Sequence, residues 1–162
     1  MMNKSRYNLR RVLVILLAAG ALGTGAVTLS SAHQGAKGVV KQRMDLMKDI
    51  SKELKSILQV IKGQKAFNGK NVSAAASAIA NHAGQVPKLF PKGTSGHPSE
   101  ATEEVWKDWS TFTKRADDMK AAASALAASA GSASKASDIL PAFKSVAETC
   151  RSCHSKFRMK SR

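Results

Sequence analysis

The chain has 162 residues, of which 43% are hydrophobic and 23% charged, and a formal net charge of +15 at pH 7. This length predicts one domain with its own hydrophobic core, and the two cysteines limit the chain to one internal disulfide. The positive charge indicates an acidic partner or an anionic surface, but the basic residues are scattered along the chain, which argues against nucleic acid.

The first 32 residues have the pattern of a signal peptide. MMNKSRYNLRR carries four basic residues and no acid, the apolar run VLVILLAAGALGTGAVTL follows, and Ser30 and Ala32 stand where a signal peptidase cleaves. An uncleaved membrane anchor is the alternative, because the apolar run is about long enough to span a bilayer. Cleavage removes four basic residues and no acid, so the mature domain, residues 33–162, has a net charge of +11. The predicted location is periplasmic, with no stable membrane span after cleavage.

Four helical stretches and no strand are predicted in the mature chain. The first covers about residues 37–62, and a turn at residues 67–71 separates it from a second helix at residues 72–86. In the first helix, one stripe of apolar residues recurs at helical spacing, formed by Val40, Met47, Ile50, Leu54, Ile57 and Ile61.

The second half of the chain predicts a long connection and two further helices. Residues 87–99 contain three of the four prolines, so they form the connection. The third helix begins near Ser99, with two glutamates in its first turns where acids favour the helix dipole, and continues to Gly131. The fourth covers about residues 138–159, with Asp138 as its N-cap.

Alanine and serine dominate parts of the second and third helices. Alanine favours helix formation, and small side chains let neighbouring helices approach closely. Four helices with mostly short links predict an all-α fold, an antiparallel up-down-up-down four-helix bundle.

The segment CRSCH, residues 150–154, holds both cysteines of the chain. On a helix, Cys150, Cys153 and His154 share one face, at i, i+3 and i+4. Two thiols there can form thioethers to the vinyl groups of a flat macrocycle, and the imidazole then points at its iron. This is the attachment signature of haem c, which predicts one covalently bound haem per chain, with His154 as proximal ligand.

Other functions of the two cysteines fit less well. A thioredoxin-like redox pair requires a βαβ context, and no strands are predicted. A zinc site requires a further ligand from elsewhere in the chain. A disulfide between residues three apart closes a very short loop and constrains the unfolded chain little.

The mature chain resembles the class II c-type cytochromes, the cytochrome c-prime family. CRSCHSKFR is similar to the haem-binding end of these proteins. KQRMDLMKDI, residues 41–50, resembles their first helix, and VPKLFPKGT followed by EEVWKDWSTF resembles the region of their second and third helices. The resemblance covers nearly the whole mature chain and implies a haem protein that is not an enzyme.

The resemblance also implies candidate residues on the other side of the iron. Met47 occupies the distal position, four residues after Arg43. In the low-spin cytochrome c-556 type a methionine there is the sixth iron ligand and the protein carries electrons, and the PKLFP segment resembles that type. In five-coordinate members, some of which also carry methionine there, the open site binds gases such as nitric oxide. Packing alone, or ligation by Met44, are alternatives for this position.

The resemblance implies a haem propionate contact for Arg43, and a solvated arginine is the alternative. Trp106, Trp109 and Phe112 recur every three residues and are predicted to be core residues, some of them walls of the haem site, rather than a redox relay. The expected partner is a redox protein with an acidic docking face. Many relatives form homodimers through their first two helices, so a homodimer is an arrangement open to this chain.

Overall fold

A computed structural model describes residues 35–160. The predicted signal peptide, residues 1–32, lies outside the described residues. Within that range the chain forms five α-helices and no strand, and the four long helices, α1, α2, α4 and α5, make a four-helix bundle, which confirms the predicted fold. The helices are α1 (Gly38–Ile61), α2 (Gly69–Ala83), α3 (Glu104–Lys107), α4 (Trp109–Ser132) and α5 (Leu140–Phe157), with 3₁₀ turns at Val86–Leu89 and Ala136–Ile139.

The second helix begins three residues earlier than the sequence predicts. The side chain of Asn68 accepts a hydrogen bond from the backbone N–H of Asn71 at 3.0 Å, which satisfies one of the free donors at a helix start. Residues 69–71 therefore belong to α2 rather than to a turn.

The predicted third helix is two helices. Residues 99–103 are not helical, and the chain breaks again at Asp108, whose backbone has φ −122° and ψ 59°. The Asp108 carboxylate accepts a hydrogen bond from the Thr111 N–H at 3.3 Å, so this residue caps α4 instead of continuing α3. Trp106, on α3, is half-buried, whereas Trp109, at the start of α4, is exposed.

The start of the last helix also differs from the prediction. Asp138 lies in a 3₁₀ turn and accepts hydrogen bonds from the N–H groups of Ser134 at 3.0 Å and Lys135 at 3.1 Å. It closes the link between α4 and α5, and α5 itself begins two residues later, at Leu140.

Small side chains bring α2 and α4 together. The helices pack through a series of buried alanines, among them Ala76, Ala83, Ala123 and Ala130, which are fully buried. At Gly69 the approach is so close that an added Cβ would collide with the carbonyl oxygen of Ala130. The main helix contacts are α2 with α4, α4 with α5 and α1 with α2. In the described part of the chain α1 and α5 make few direct contacts, and a cavity has its walls on these two helices.

Candidate haem site

The cavity has a volume of about 1040 Å³, at the upper end of the range for small-molecule and cofactor sites. α5 contributes Cys150, Cys153 and His154 to its wall, and α1 contributes Met47. Apolar side chains from three helices and the connection after α2 form much of the remaining lining, among them Ile50, Leu54, Phe90, Phe112, Met119 and Phe157. The residues that the CRSCH motif and the distal position predict thus meet at one cavity.

The α5 wall presents the two thiols and the imidazole on one helical face. Both thiols are free and half-buried. Burial raises the pKa of the Cys150 thiol, and burial together with the neighbouring Cys150 raises the pKa of Cys153 to about 11, against the opposing effect of Arg115. Burial lowers the pKa of His154, and the positive charge of Arg158 lowers it further, while the negative charge of Glu100 raises it. At neutral pH the thiols are therefore protonated and the imidazole is neutral, the form that binds a metal ion.

The end of α5 is held in place by the segment after residue 98. The N–H of Thr102 donates to the carbonyl oxygen of Phe157 at 3.0 Å, and the N–H of Met159 donates to that of Glu100 at 2.8 Å. Glu100 also pairs with the Arg158 guanidinium at 2.7 Å. These contacts fix the last turn of α5, which carries His154.

The α1 wall follows from helical periodicity. Arg43, Met47, Ile50 and Leu54 are spaced by four, three and four residues, and all of them line the cavity. Met47 and Leu54 are only half-buried, whereas Ile50 is 6% exposed. The predicted core stripe of α1 is therefore partly a cavity wall.

Two further methionines line the same cavity. Met44 lies one turn before Lys48 on α1, and Met119 lies on α4, where it is 9% exposed. Sequence reasoning did not single out Met119, although Phe112, Ala116, Met119 and Ala123 recur at helical spacing on α4 and are all buried. That spacing identifies Met119 as facing the interior but not as facing a cofactor.

Arg43 is buried, with 4% of its surface exposed, so the alternative of a solvated arginine is wrong. Its guanidinium donates to the Thr94 carbonyl oxygen at 3.0 Å and to the Ser99 hydroxyl at 3.2 Å. It also donates to the Leu89 carbonyl oxygen and to the Thr94 hydroxyl. It also lies 4.2 Å from the ring centroid of Phe90, in cation–π geometry. Burial lowers its pKa. Arg43 thus attaches the connection after α2 to the cavity wall.

Aromatic rings continue from the cavity to the protein surface. The ring centroid of Phe112 lies 4.8 Å from that of Phe90 and 5.3 Å from that of Phe157. Trp109 lies 5.4 Å from Phe112 and is 40% exposed. The prediction of a core position is therefore wrong for Trp109, because the break at Asp108 turns it outward, but Phe112 is both core and cavity wall.

The donor set and charges of the cavity fit a haem c. Its lining supplies two thiols for thioether bonds, a neutral imidazole and an apolar interior. The cationic residues of the lining outnumber its two glutamates, which suits the two propionates of a haem. They are Arg43, Lys48, Lys52, Lys55, Lys65, Arg115 and Arg158.

Comparisons with known proteins agree with this fit. The chain matches the family described as Cytochrome C' over residues 38–158. It is 32% identical to a cytochrome c' of Rhodopseudomonas palustris over 139 residues, which cover 84% of this chain and 92% of the relative. It is 28% identical to a cytochrome c-556 of Agrobacterium tumefaciens over 123 residues, 76% of this chain and 98% of the relative.

The fold agrees as well. A solved structure of cytochrome c' from Rhodopseudomonas palustris superposes with a TM-score of 0.71 at 26% identity, covering 78% of this chain and all of that one. The chain belongs to the cytochrome c' family, and its cofactor is a covalently bound haem c.

Proposed function

We propose that this chain is a periplasmic monohaem electron carrier in which His154 is the proximal and Met47 the distal iron ligand. Cys150 and Cys153 form the two thioethers. The observation that carries the proposal is that Met47, from α1, lines the same cavity as Cys150, Cys153 and His154, from α5.

The haem supplies one-electron chemistry, and the protein sets its conditions. Thioethers at Cys150 and Cys153 would hold the cofactor at α5, and the neutral imidazole of His154 would bind its iron. A methionine ligand favours the reduced iron and raises the potential. Ile50, Leu54 and Phe112 exclude water from the site, which also favours the less charged reduced state.

Arg43 has a role in this proposal that fits its other contacts. Four of the five guanidinium N–H donors of an arginine are used in contacts with residues 89, 94 and 99. One N–H remains for a charge-assisted hydrogen bond to a haem propionate. Arg43 would then join the connection after α2 to the cofactor as well as to the cavity wall.

A five-coordinate, gas-binding cytochrome is the second candidate. The relative that is 32% identical is a cytochrome c' and not a cytochrome c-556. In that case Met47 would be a cavity-wall residue that leaves the sixth position of the iron to small ligands such as nitric oxide.

The optical spectrum with and without carbon monoxide separates the two candidates. The protein is produced with export and haem attachment intact. A six-coordinate carrier shows a low-spin ferrous spectrum that carbon monoxide leaves nearly unchanged. A high-spin ferrous spectrum with avid carbon monoxide binding would replace the electron carrier with the gas-binding protein.

Intact mass of the same preparation tests the attachment and the export. We expect the mass of residues 33–162 plus one haem, with no haem extracted by acidic acetone. Extractable haem would contradict the thioethers at Cys150 and Cys153, and a mass that includes residues 1–32 would contradict signal cleavage. Family members are typically periplasmic, and none of the helices in residues 35–160 is long and apolar enough to cross a membrane.

A further inference from the structure

A second, smaller cavity lies at the surface. It has a volume of about 310 Å³ and is formed by the connection after α2, at residues 87–92, together with Trp106 and Trp109. Lys88, Pro91, Lys92 and Trp109 are exposed there. We call this feature the tryptophan cleft. It combines an exposed aromatic side chain, prolines and two lysines. Aromatic side chains are enriched in protein interfaces.

The cleft is held in place by hydrogen bonds from two helices. The indole N–H of Trp106 donates to the carbonyl oxygens of Phe90 and Pro91, at 3.0 and 3.1 Å. The Arg43 guanidinium, from α1, donates to the Leu89 carbonyl oxygen. Residues 89–91 are thus fixed through their backbone, which lowers the entropy lost when a partner binds.

The cleft is separated from the haem cavity by a single aromatic layer. Phe90 lines both cavities. Trp109, in the cleft, lies 5.4 Å from Phe112, centroid to centroid, and Phe112 lines the haem cavity. Because electron tunnelling weakens steeply with distance and with gaps in packing, a partner seated on Trp109 has a short, filled route to the cofactor.

The charges around the cleft select a partner. Residues 54–99 contain six lysines and no acid, and Lys88 and Lys92 come from this segment. Two of the acids that follow are already paired, since Glu104 lies 3.5 Å from the Lys107 ammonium and Asp108 pairs with Lys156. Glu103 is the exposed acid of α3's N-terminus that has no ion pair among residues 35–160. Lys88 and Lys92 outnumber this one acid, and they present a positive rim to an acidic surface.

We propose that the tryptophan cleft is the docking site of an acidic redox protein, with Trp109 as the central contact and Lys88 and Lys92 as the charged rim. The inference rests on the proposed electron-carrier function. One electron passes between the two proteins in the complex: the partner is reduced when this chain is oxidised, and oxidised when it is reduced, with no bond made or broken. The mouth of the haem cavity, where Lys52 and Lys55 lie, is the competing docking surface.

Three double variants with the same change in net charge distinguish the surfaces. The ferrous holoprotein is mixed with oxidised plastocyanin of acidic type as the probe, and the bimolecular rate is measured at low ionic strength. Lys88→Glu/Lys92→Glu should lower that rate about tenfold. Lys135→Glu/Lys144→Glu, on exposed sites elsewhere, should lower it by less than about threefold. Lys52→Glu/Lys55→Glu at the cavity mouth should also lower it by less than about threefold once the rate is corrected for any change in reduction potential, which is measured for each variant because these two lysines line the haem cavity.

Trp109→Ala tests the central contact. We expect it to raise the plastocyanin Kd roughly tenfold, as for a hot-spot tryptophan, while Lys120→Ala, at an exposed site on α4, leaves the Kd unchanged. Equal losses in the three double variants, a larger loss at the cavity mouth, or an unchanged Kd for Trp109→Ala would overturn the cleft. If the wild-type protein exchanges electrons rapidly in these experiments, the carrier function stands whatever the docking result; avid carbon monoxide binding by the wild type removes the carrier function separately.

Discussion

At the scale of single residues, Met47 decides between the two candidate functions. If its thioether binds the iron, Met47→Ala should keep the covalent haem, open the sixth position to carbon monoxide and lower the reduction potential. Met44→Ala should change none of these. Optical titration with carbon monoxide and a potentiometric titration measure the outcomes.

Met119→Ala is the matched control for packing. Met119 also lines the cavity but is 9% exposed, so its truncation should cost about 2–5 kcal/mol of stability without changing the coordination. If Met47→Ala behaves in the same way, with lost stability and an unchanged spectrum, Met47 is only a wall of the site. If Met119→Ala opens the sixth position instead, the ligand comes from α4.

The residue scale also shows what local sequence can and cannot predict. The 150, 153 and 154 spacing places three side chains on one helical face, because helix geometry depends only on local sequence. Arg43 is different, since its hydrogen-bond partners lie 46 to 56 residues away. Its burial depends on where the connection after α2 folds back, which no local pattern contains.

At the scale of helices, Gly69 allows α2 to approach α4 closely. A Cβ at this position would collide with the backbone oxygen of Ala130, which cannot rotate away as a side chain can. Gly69→Ala should therefore cost about 1–3 kcal/mol of stability. Gly131→Ala is the control, because a Cβ there meets nothing within 4 Å, and in a helix it should stabilise by up to about 1 kcal/mol. Denaturant unfolding of both holoproteins measures the difference, and similar values for the two variants would contradict a close helix contact.

Asp108, between α3 and α4, makes the stability of the fold depend on pH. Hydrogen bonds from the Lys156 ammonium and from Thr111 lower the pKa of its carboxyl from 3.8 to about 2. Because the folded protein lowers this pKa, the ionised group stabilises the fold above pH 3.8, and the contribution is lost as the pH falls through about 2. Wild type and Asp108→Asn should thus differ in thermal unfolding at pH 6 and converge near pH 2. A difference that persists at pH 2 would assign the effect to packing and not to charge.

The same residue explains where the helix prediction was wrong. Trp106, Trp109 and Phe112 recur every three residues, which fits one helical stripe, and an aspartate between them is no strong signal against a helix. Asp108 instead ends α3 and caps α4, because its carboxylate has both the Thr111 N–H and Lys156, which lies 48 residues away on α5, as partners. The Thr111 cap is local, but the ion pair with Lys156 that accompanies the break depends on where α5 packs, which no local pattern contains.

At the scale of the whole molecule, the positive charge has a consequence for encounter rates. With the proposed cleavage after residue 32, the chain's net charge of +15 becomes +11, and it falls by about two more when two haem propionates ionise, since carboxyl groups are charged at pH 7. The protein therefore stays strongly positive, and acidic partners should be steered to it from beyond contact distance. Since the Debye length falls to about 10 Å at 0.1 M salt, this steering should fade over the ordinary range of ionic strength.

The corresponding prediction compares two oxidants of opposite charge. The rate with acidic plastocyanin should fall steadily as sodium chloride is raised from about 10 to 300 mM, because exposed charges are increasingly screened. The rate with a cationic cobalt(III) complex should rise over the same range, because screening then weakens a repulsion. If neither rate changes with the salt concentration, net charge does not govern the encounter of the protein with its oxidant. Two rates that fall together would point to a salt effect on the protein itself, for which the potential measured at each salt concentration is the check.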